Sequence, residues 1–180
     1  MKYLFGFLLL GLMTSCSQNR YLIDQTNLDD YPKILLLKST SKAVTGVVYD
    51  EYENGQLEYE GGFKDGKKDG IQREWFENGQ LKVELNWKED TRDGLQRTWY
   101  ENGRLVIEAN YKEGAPRGLV RTWYGNGQLE YEANHKAYGF DGLLRRWYEN
   151  GQLKLEQHYN EGKRISEKCW DLDGNEIECK

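Results

Sequence analysis

Polar and apolar positions along the chain recur with a period of 24 residues. Gly46, Gly70, Gly94, Gly118 and Gly142 open five units. Each unit carries an Asn-Gly pair at its ninth and tenth residues: Asn54-Gly55, Asn78-Gly79, Asn102-Gly103, Asn126-Gly127 and Asn150-Gly151. A shorter sixth unit follows with Trp170 and Asp173-Gly174. On either side of each pair, apolar and polar residues alternate, which is the signature of a half-buried strand. Asn-Gly between two such runs signals a hairpin, because a type I′ turn needs positive φ at both central residues. In the fourth unit the strands are predicted at 119–124 and 129–135. A two-residue turn at Asn126-Gly127 then pairs Tyr124 with Leu129, Thr122 with Tyr131, and Arg121 with Glu132.

Alternation sorts the side chains onto two faces. Tyr124, Leu129, Tyr131 and Ala133 share one face. Their equivalents are Phe76, Leu81, Val83 and Leu85, then Tyr100, Leu105, Ile107 and Ala109, then Tyr148, Leu153 and Leu155. Leu119, Arg121, Trp123 and Glu132 share the other, with equivalents Ile71, Arg73, Trp75 and Glu84, then Leu95, Arg97, Trp99 and Glu108, then Leu143, Arg145, Trp147 and Glu156. Arg and Glu therefore fall opposite each other in four hairpins. The first unit departs from the pattern, with Tyr49 and Glu51 where Arg and Trp stand later. Polar linkers of about six residues separate the hairpins (64–69, 88–93, 112–117 and 136–141). The expectation is an all-β fold: an elongated, single-layer antiparallel meander of ten strands, about 48 Å along its axis at ~4.8 Å per strand.

The recurring Gly-x-x-x-x-Trp-Tyr-x-Asn-Gly-x-Leu-x-x-Glu pattern resembles the bacterial variant of MORN repeats, from Gly46 to about Gly162. The resemblance implies an elongated sheet of hairpins with no shared catalytic residues. Bacterial members of that family are commonly described, by similarity, as antitoxin components of toxin–antitoxin systems. Eukaryotic MORN proteins are associated with membranes, phospholipids and partner scaffolding.

Met1-Lys2 followed by an apolar run from Tyr3 to Met13 reads as a signal peptide, too short to span a bilayer at ~20 residues. Met13-Thr14-Ser15-Cys16 resembles the lipobox of bacterial lipoproteins, whose cysteine is acylated and becomes the mature N-terminus; a plain secretory signal or an uncleaved anchor is the alternative. Ser17 is not the Asp that retains such proteins at an inner membrane, which favours an outer membrane where the cell has one. The segments are thus a signal peptide at 1–15, a lipidated tether at 16–45, five hairpin repeats at 46–165 and a capping hairpin at 166–180. Residues 34–37, an Ile-Leu-Leu-Leu run between two lysines, are expected to cap the first sheet edge as a strand or a short helix. Cys169 and Cys179 flank the Asp173-Gly174 turn and either staple the last hairpin or remain two thiols.

Composition narrows the function. Of 180 residues 31% are charged, with a net charge of −5 and no basic stripe, which argues against nucleic acid as a partner. With 6 Trp, 13 Tyr and 5 Phe, the chain has the aromatic content of a sheet rather than of a disordered segment. The two histidines, His135 and His158, occupy different repeat positions on opposite faces, and Glu60, Glu84, Glu108, Glu132 and Glu156 recur with the repeat. Neither arrangement makes a catalytic constellation, and no metal or cofactor motif is present in the sequence. The candidate surface is the face of Trp75, Trp99, Trp123 and Trp147 with Arg73, Arg97, Arg121 and Arg145. Its rings lie about 10 Å apart, two strands per unit, and either hold a protein, peptide or glycan or only shield the thin sheet. The function expected is that of a non-catalytic, membrane-anchored binding module at the envelope; the alternative is an antitoxin or immunity inhibitor, against which an export signal counts where the toxin is cytoplasmic.

Overall fold

Each 24-residue unit folds as one hairpin, and the hairpins pair edge to edge in sequence order. The computed structural model describes residues 20–22, 26–27, 36–37, 42–136 and 139–179. Among these, every regular element is a strand: β1 (Arg20–Leu22), β2 (Thr26–Asn27), β3 (Leu36–Leu37), β4 (Gly46–Glu51), β5 (Leu57–Lys64), β6 (Lys67–Trp75), β7 (Leu81–Lys88), β8 (Thr91–Arg92), β9 (Gly94–Trp99), β10 (Leu105–Lys112), β11 (Ala115–Trp123), β12 (Leu129–Lys136), β13 (Gly139–Trp147), β14 (Leu153–Asn160), β15 (Lys163–Trp170) and β16 (Glu176–Ile177). All but β2 and β3 form one fourteen-stranded sheet, with β8 attached to β7 alone. The sheet is antiparallel except at its first edge, where β1 lies parallel to β4 with Arg20 level with Val47. The strand on that edge is thus Arg20–Leu22, whereas Leu36–Leu37 pairs with Thr26–Asn27 in a separate ribbon. The signal peptide and Cys16 lie outside the described residues.

The turns differ from expectation. In the fourth hairpin the body register is the expected one, Thr122 opposite Tyr131 and Arg121 opposite Glu132. Near the turn, however, Leu129 faces Trp123 rather than Tyr124. The Tyr124 N–H instead donates to the Gln128 carbonyl at 2.9 Å, and the Tyr124 carbonyl accepts from the Gly127 N–H at 2.8 Å. Gly127 has φ of 92°, while Asn126 is not among the residues of positive φ. This is a type I turn closed by a glycine bulge, not a two-residue type I′ turn. Asn126 serves it through its side chain, whose Oδ1 accepts the Gln128 N–H at 2.9 Å. The residue gained in the turn is absorbed by a second bulge at Glu130, which restores the register.

Left-handed pairs occur instead where linkers were expected. Asp65-Gly66, Glu89-Asp90, Glu113-Gly114 and Glu161-Gly162 all have positive φ. They join Lys64 to Lys67, Lys88 to Thr91, Lys112 to Ala115 and Asn160 to Lys163 as directly paired residues. The predicted polar linkers at 64–69, 88–93 and 112–117 are therefore tight hairpin turns with strand running up to them, as is 161–162, where no linker was expected; residues 137–138 of the linker predicted at 136–141 lie outside the described residues.

Both rows of turns are stitched from unit to unit. On the Asn-Gly side, the hydroxyls of Tyr52, Tyr100, Tyr124 and Tyr148 donate to the carbonyls of Trp75, Trp123, Trp147 and Trp170 in the next unit, at 2.7, 3.0, 2.8 and 2.9 Å. Asn126 Nδ2 donates to the Glu149 carbonyl at 2.7 Å. On the opposite side, the N–H groups of Gly66, Asp90, Gly114 and Gly162 donate to the carbonyls of Val44, Lys68, Arg92 and Phe140, at 2.8, 2.9, 2.9 and 3.1 Å.

A single layer builds its core by folding large side chains over small ones. Along β5 the order is Tyr59, Gly61, Phe63; along β10, Ile107, Ala109, Tyr111; along β12, Tyr131, Ala133, His135. A Cβ on Gly61 would come within 2.2 Å of the Tyr59 hydroxyl, so that ring lies across the glycine. The third residue of every unit is buried on this face: Val48, Gln72, Gln96, Val120 and Leu144. The core is densest at the first edge, where Val44, Val48 and Phe63 cluster under Tyr59.

Phe76 occupies the tyrosine position of the second unit and cannot make the stitch to Trp99. Phe76→Tyr is expected to raise unfolding free energy by about 0.5–1.5 kcal/mol, and Tyr100→Phe to lower it by a similar amount. Urea titration of the two variants checks both signs.

Candidate functional site: the two faces of the sheet

On the outer face, opposite charges alternate across ten consecutive main strands. Glu60, Arg73, Glu84, Arg97, Glu108, Arg121, Glu132, Arg145, Glu156 and Lys168 stand level with one another in register. Within each hairpin the arginine Nε donates to the glutamate Oε2, at 2.8 Å for Arg73–Glu84, 2.7 Å for Arg97–Glu108, 2.7 Å for Arg121–Glu132 and 2.8 Å for Arg145–Glu156. Both partners keep partial solvent access, so each pair contributes ~0.2–1 kcal/mol. Unit one has Tyr49 in place of arginine, and β1 compensates. Arg20 donates to Glu60 at 2.9 Å and its guanidinium lies 4.9 Å from the Tyr49 ring centre.

The four candidate arginines are therefore all engaged by glutamate. The four tryptophans form a second row on this face, each level with a leucine: Trp75 with Leu81, Trp99 with Leu105, Trp123 with Leu129 and Trp147 with Leu153. All eight are half-buried, an apolar ribbon rather than a set of open rings. On the far side of the ladder runs a more exposed aliphatic row, Ile71, Leu119 and Leu143, which Ile165 continues into the last hairpin.

The inner face is built on tyrosines, threonines and charges of both signs. Two clefts on it, of about 240 and 330 Å³, occupy equivalent positions three units apart. The first is lined by Asp50, Tyr52, Glu58, Tyr59, Glu74, Trp75 and Lys82, the second by Thr122, Tyr124, Glu130, Tyr131, Arg146, Trp147 and Lys154. Toward the left-handed turns, cations stack on rings: Lys68 Nζ lies 4.6 Å from the Trp87 ring centre, and Arg92 lies 5.7 Å from Trp87 and 5.4 Å from Tyr111. Burial holds the Lys68 ammonium below its usual pKa, against the opposing pull of Asp90. Burial, reinforced by Glu74, raises the Tyr59 phenol far above its usual range.

The pattern described as the MORN repeat variant matches residues 44–65, 68–89, 92–113, 116–137 and 140–161, together more than half of the chain. The chain belongs to this family. No curated protein matches it. MORN repeats are typically non-catalytic binding modules, and the sheet of stitched hairpins is the form they take here.

The face assignment made from sequence is wrong for Leu81, Leu105, Leu129 and Leu153, which the bulge moves from the tyrosine face to the tryptophan face, and two further features of this MORN sheet escape it. The first is the inner aromatic row Phe63, Trp87, Tyr111, His135 and Tyr159; the constant aromatic character of that repeat position is a signal the sequence carries. The second is the outward bulge residue, Glu58, Lys82, Val106, Glu130 or Lys154. It joins the inner face, since Lys82 lies 3.5 Å from Glu74 and Thr122 Oγ1 donates to Glu130 at 3.1 Å. At the far end, Cys169 and Cys179 are bonded, with Cα atoms 5.4 Å apart, although the register partner of Cys169 is Ile177 rather than Cys179. Among the described residues, no three His, Cys, Asp or Glu side chains converge as a metal site.

The two histidines are far from equivalent. His158 is exposed and level with Leu143. His135 packs edge-on against Phe140 at 4.8 Å, and burial lowers its pKa below 6.5. A base with a depressed folded pKa supports the fold fully above pH 6.5, and that support is lost as pH falls toward the folded value. His135→Phe is therefore expected to lessen the loss of stability between pH 7.5 and 5, read as urea midpoints at the two pH values. Within the outer ladder, Arg97→Glu sets three carboxylates in a row and is expected to cost about 1–2 kcal/mol, with Arg97→Glu/Glu108→Arg recovering part of it. Urea midpoints of single and double variants at low and high salt check this.

Proposed function

We infer that this MORN-variant chain is an exported, lipid-anchored, non-catalytic module that presents its Trp/Arg face to a protein, peptide or glycan partner at a bacterial envelope. The observation that carries the reading is the outer face itself. In units two to five it repeats the same tryptophan and the same ion pair roughly every 10 Å, with an exposed aliphatic group at Ile71, Leu119 and Leu143. A surface repeated in that way suits an elongated partner that touches several units at once, so that weak contacts add.

Location rests on the first residues. The Cys16 motif supports lipidation, and the Cys169–Cys179 bond fits an oxidising compartment. Only residues 17–19 separate Cys16 from β1, so an acylated Cys16 would hold the first sheet edge within ~10 Å of the anchor at ~3.3 Å per residue. The sheet would then run from the membrane-proximal β1 toward the disulfide-closed hairpin.

In cells fed labelled palmitate, both label and membrane association are expected to depend on Cys16 and to disappear in Cys16→Ser. A photo-crosslinking residue at position 119 is then expected to capture a partner, and to capture less of it in a folded Trp99→Ala/Trp123→Ala variant. Unlabelled, cytoplasmic protein would overturn the envelope reading in favour of an antitoxin-type inhibitor.

A further inference from the structure

We propose that the inner, tyrosine-bearing face is a self-association surface on which two copies of this chain pack antiparallel about a two-fold axis. A sheet face in a stable domain is normally covered by a second layer, and no second layer lies over this one among the described residues. Its charges identify the layer that fits.

Unlike those of the outer ladder, the charged positions of the inner face do not repeat. The same strand position carries Asp50, Glu74, Thr98, Thr122 and Arg146 in successive units, and the bulge position carries Glu58, Lys82, Val106, Glu130 and Lys154. Over these two positions the charge is acidic in unit one, balanced in units two and three, acidic by the single Glu130 in unit four, and basic in unit five. Within the chain Glu74 is paired with Lys82, while Glu130 keeps its charge and accepts only from the Thr122 hydroxyl. Five of these charges are left without an ion pair among the described residues, Glu130 and two at each end. Asp50 and Glu58 stand at one end. Arg146 and Lys154 stand at the other, resting on the rings of Tyr131 and Tyr148 at 5.6 and 5.2 Å.

The two equivalent clefts thus have opposite polarity, so one repeating ligand cannot satisfy both. The required partner is acidic where this chain is basic and basic where it is acidic, in reversed order. A second copy, turned end for end, has that arrangement at its two ends, where the charge is concentrated; in the middle, Glu130 meets the Glu74–Lys82 pair. An axis between β9 and β10 leaves five strands on each side, from β4 to β14. It sets β4 against β14 of the other copy and β5 against its β13, which brings Asp50 toward Lys154 and Glu58 toward Arg146. Thr98, Val106 and Ile107 meet near the axis. Ten strands by about four residues of each give roughly 700 Å² per copy, close to the ~800 Å² of a standard interface. Two sheets so packed lie ~10 Å apart and leave both outer faces open. The proposal stands independently of the lipid anchor and of the outer-face partner.

The test uses the full chain in detergent, purified with two different tags and followed by co-capture and sedimentation. The natural protein is expected to form dimers. Asp50→Lys/Glu58→Lys and Arg146→Glu/Lys154→Glu should each weaken self-association about ten-fold or more, because each makes both ends alike. All four positions are polar surface sites, and unchanged circular dichroism establishes that the variants fold. Mixing the two variants should restore pairing, now exclusively between unlike copies. A monomeric natural protein at tens of micromolar, variants that associate as the natural protein does, or a mixture that stays monomeric would each overturn the proposal. So would a natural protein whose inner face is taken by lipid vesicles or another protein instead of a second copy.

Discussion

A sheet one layer thick cannot bury its side chains between two layers, so its cohesion has to run along the array, from strand to strand. Every conserved feature of the repeat in this chain serves that requirement. The tyrosine before the turn, present in four of the five units, spends its hydroxyl on a carbonyl of the next unit. The left-handed turns on the other side bond backward to the unit before. The charge ladder continues without a gap because each arginine stands between two glutamates. Stability in such an array is a sum of neighbour terms, and it is least secure at the two ends, where a neighbour is missing.

The ends are accordingly where the repeat departs from itself. At the first edge the ladder would stop at Glu60, and Arg20 of β1 supplies the absent cation from a different part of the chain. At the last edge Lys168 ends the ladder opposite Glu156. Asp171 stands where tyrosines stand in the complete units. Its carboxylate turns back on its own turn and accepts from the N–H groups of Asp173 and Asn175 at 3.0 and 2.8 Å. The Asn175 side chain, whose Nδ2 also donates to this carboxylate at 3.1 Å, and then those backbone bonds hold its pKa below the usual carboxylate range. The Cys169–Cys179 bond then fixes the short final hairpin, whose β16 pairs at only two positions.

Period, strand order and the body register were legible in the sequence because they are written in alternation, and a 24-residue repeat states the alternation five times over. The turn types were not. Asn-Gly favours a type I′ turn by its φ preferences, yet Asn126 also offers a side-chain acceptor two residues from Gln128, and here that second property decides the geometry. The exchange is invisible in the strand bodies because one residue gained at the glycine bulge is cancelled at Glu130. The polar runs at 64–69 and 112–117 read as linkers because lysine, acid and glycine favour loops, although Asp65-Gly66 is also a tight-turn pair. The cap was missed for another reason: Arg20–Leu22 has no repeat to reveal it, while the more apolar Leu36–Leu37 pairs elsewhere.

The candidate surface was legible as a face but not as a set of available groups. Alternation correctly sets tryptophan and arginine together and arginine opposite glutamate; it placed the leucines on the other face, whereas the bulge beside the turn brings one level with each ring. What remains open on that side is the aliphatic row of Ile71, Leu119, Leu143 and Ile165. The two faces also differ in how strictly they repeat. Groups that stitch one unit to the next are under the same demand in every unit, so they recur: arginine with glutamate, tryptophan with leucine. The inner row is free of that demand, and there the residue changes sign from Asp50 to Arg146 while the backbone around it stays the same. Constancy on this sheet therefore reports cohesion between neighbours, and departure from constancy reports something outside the array, which is why the less regular face is the more informative about what the molecule meets.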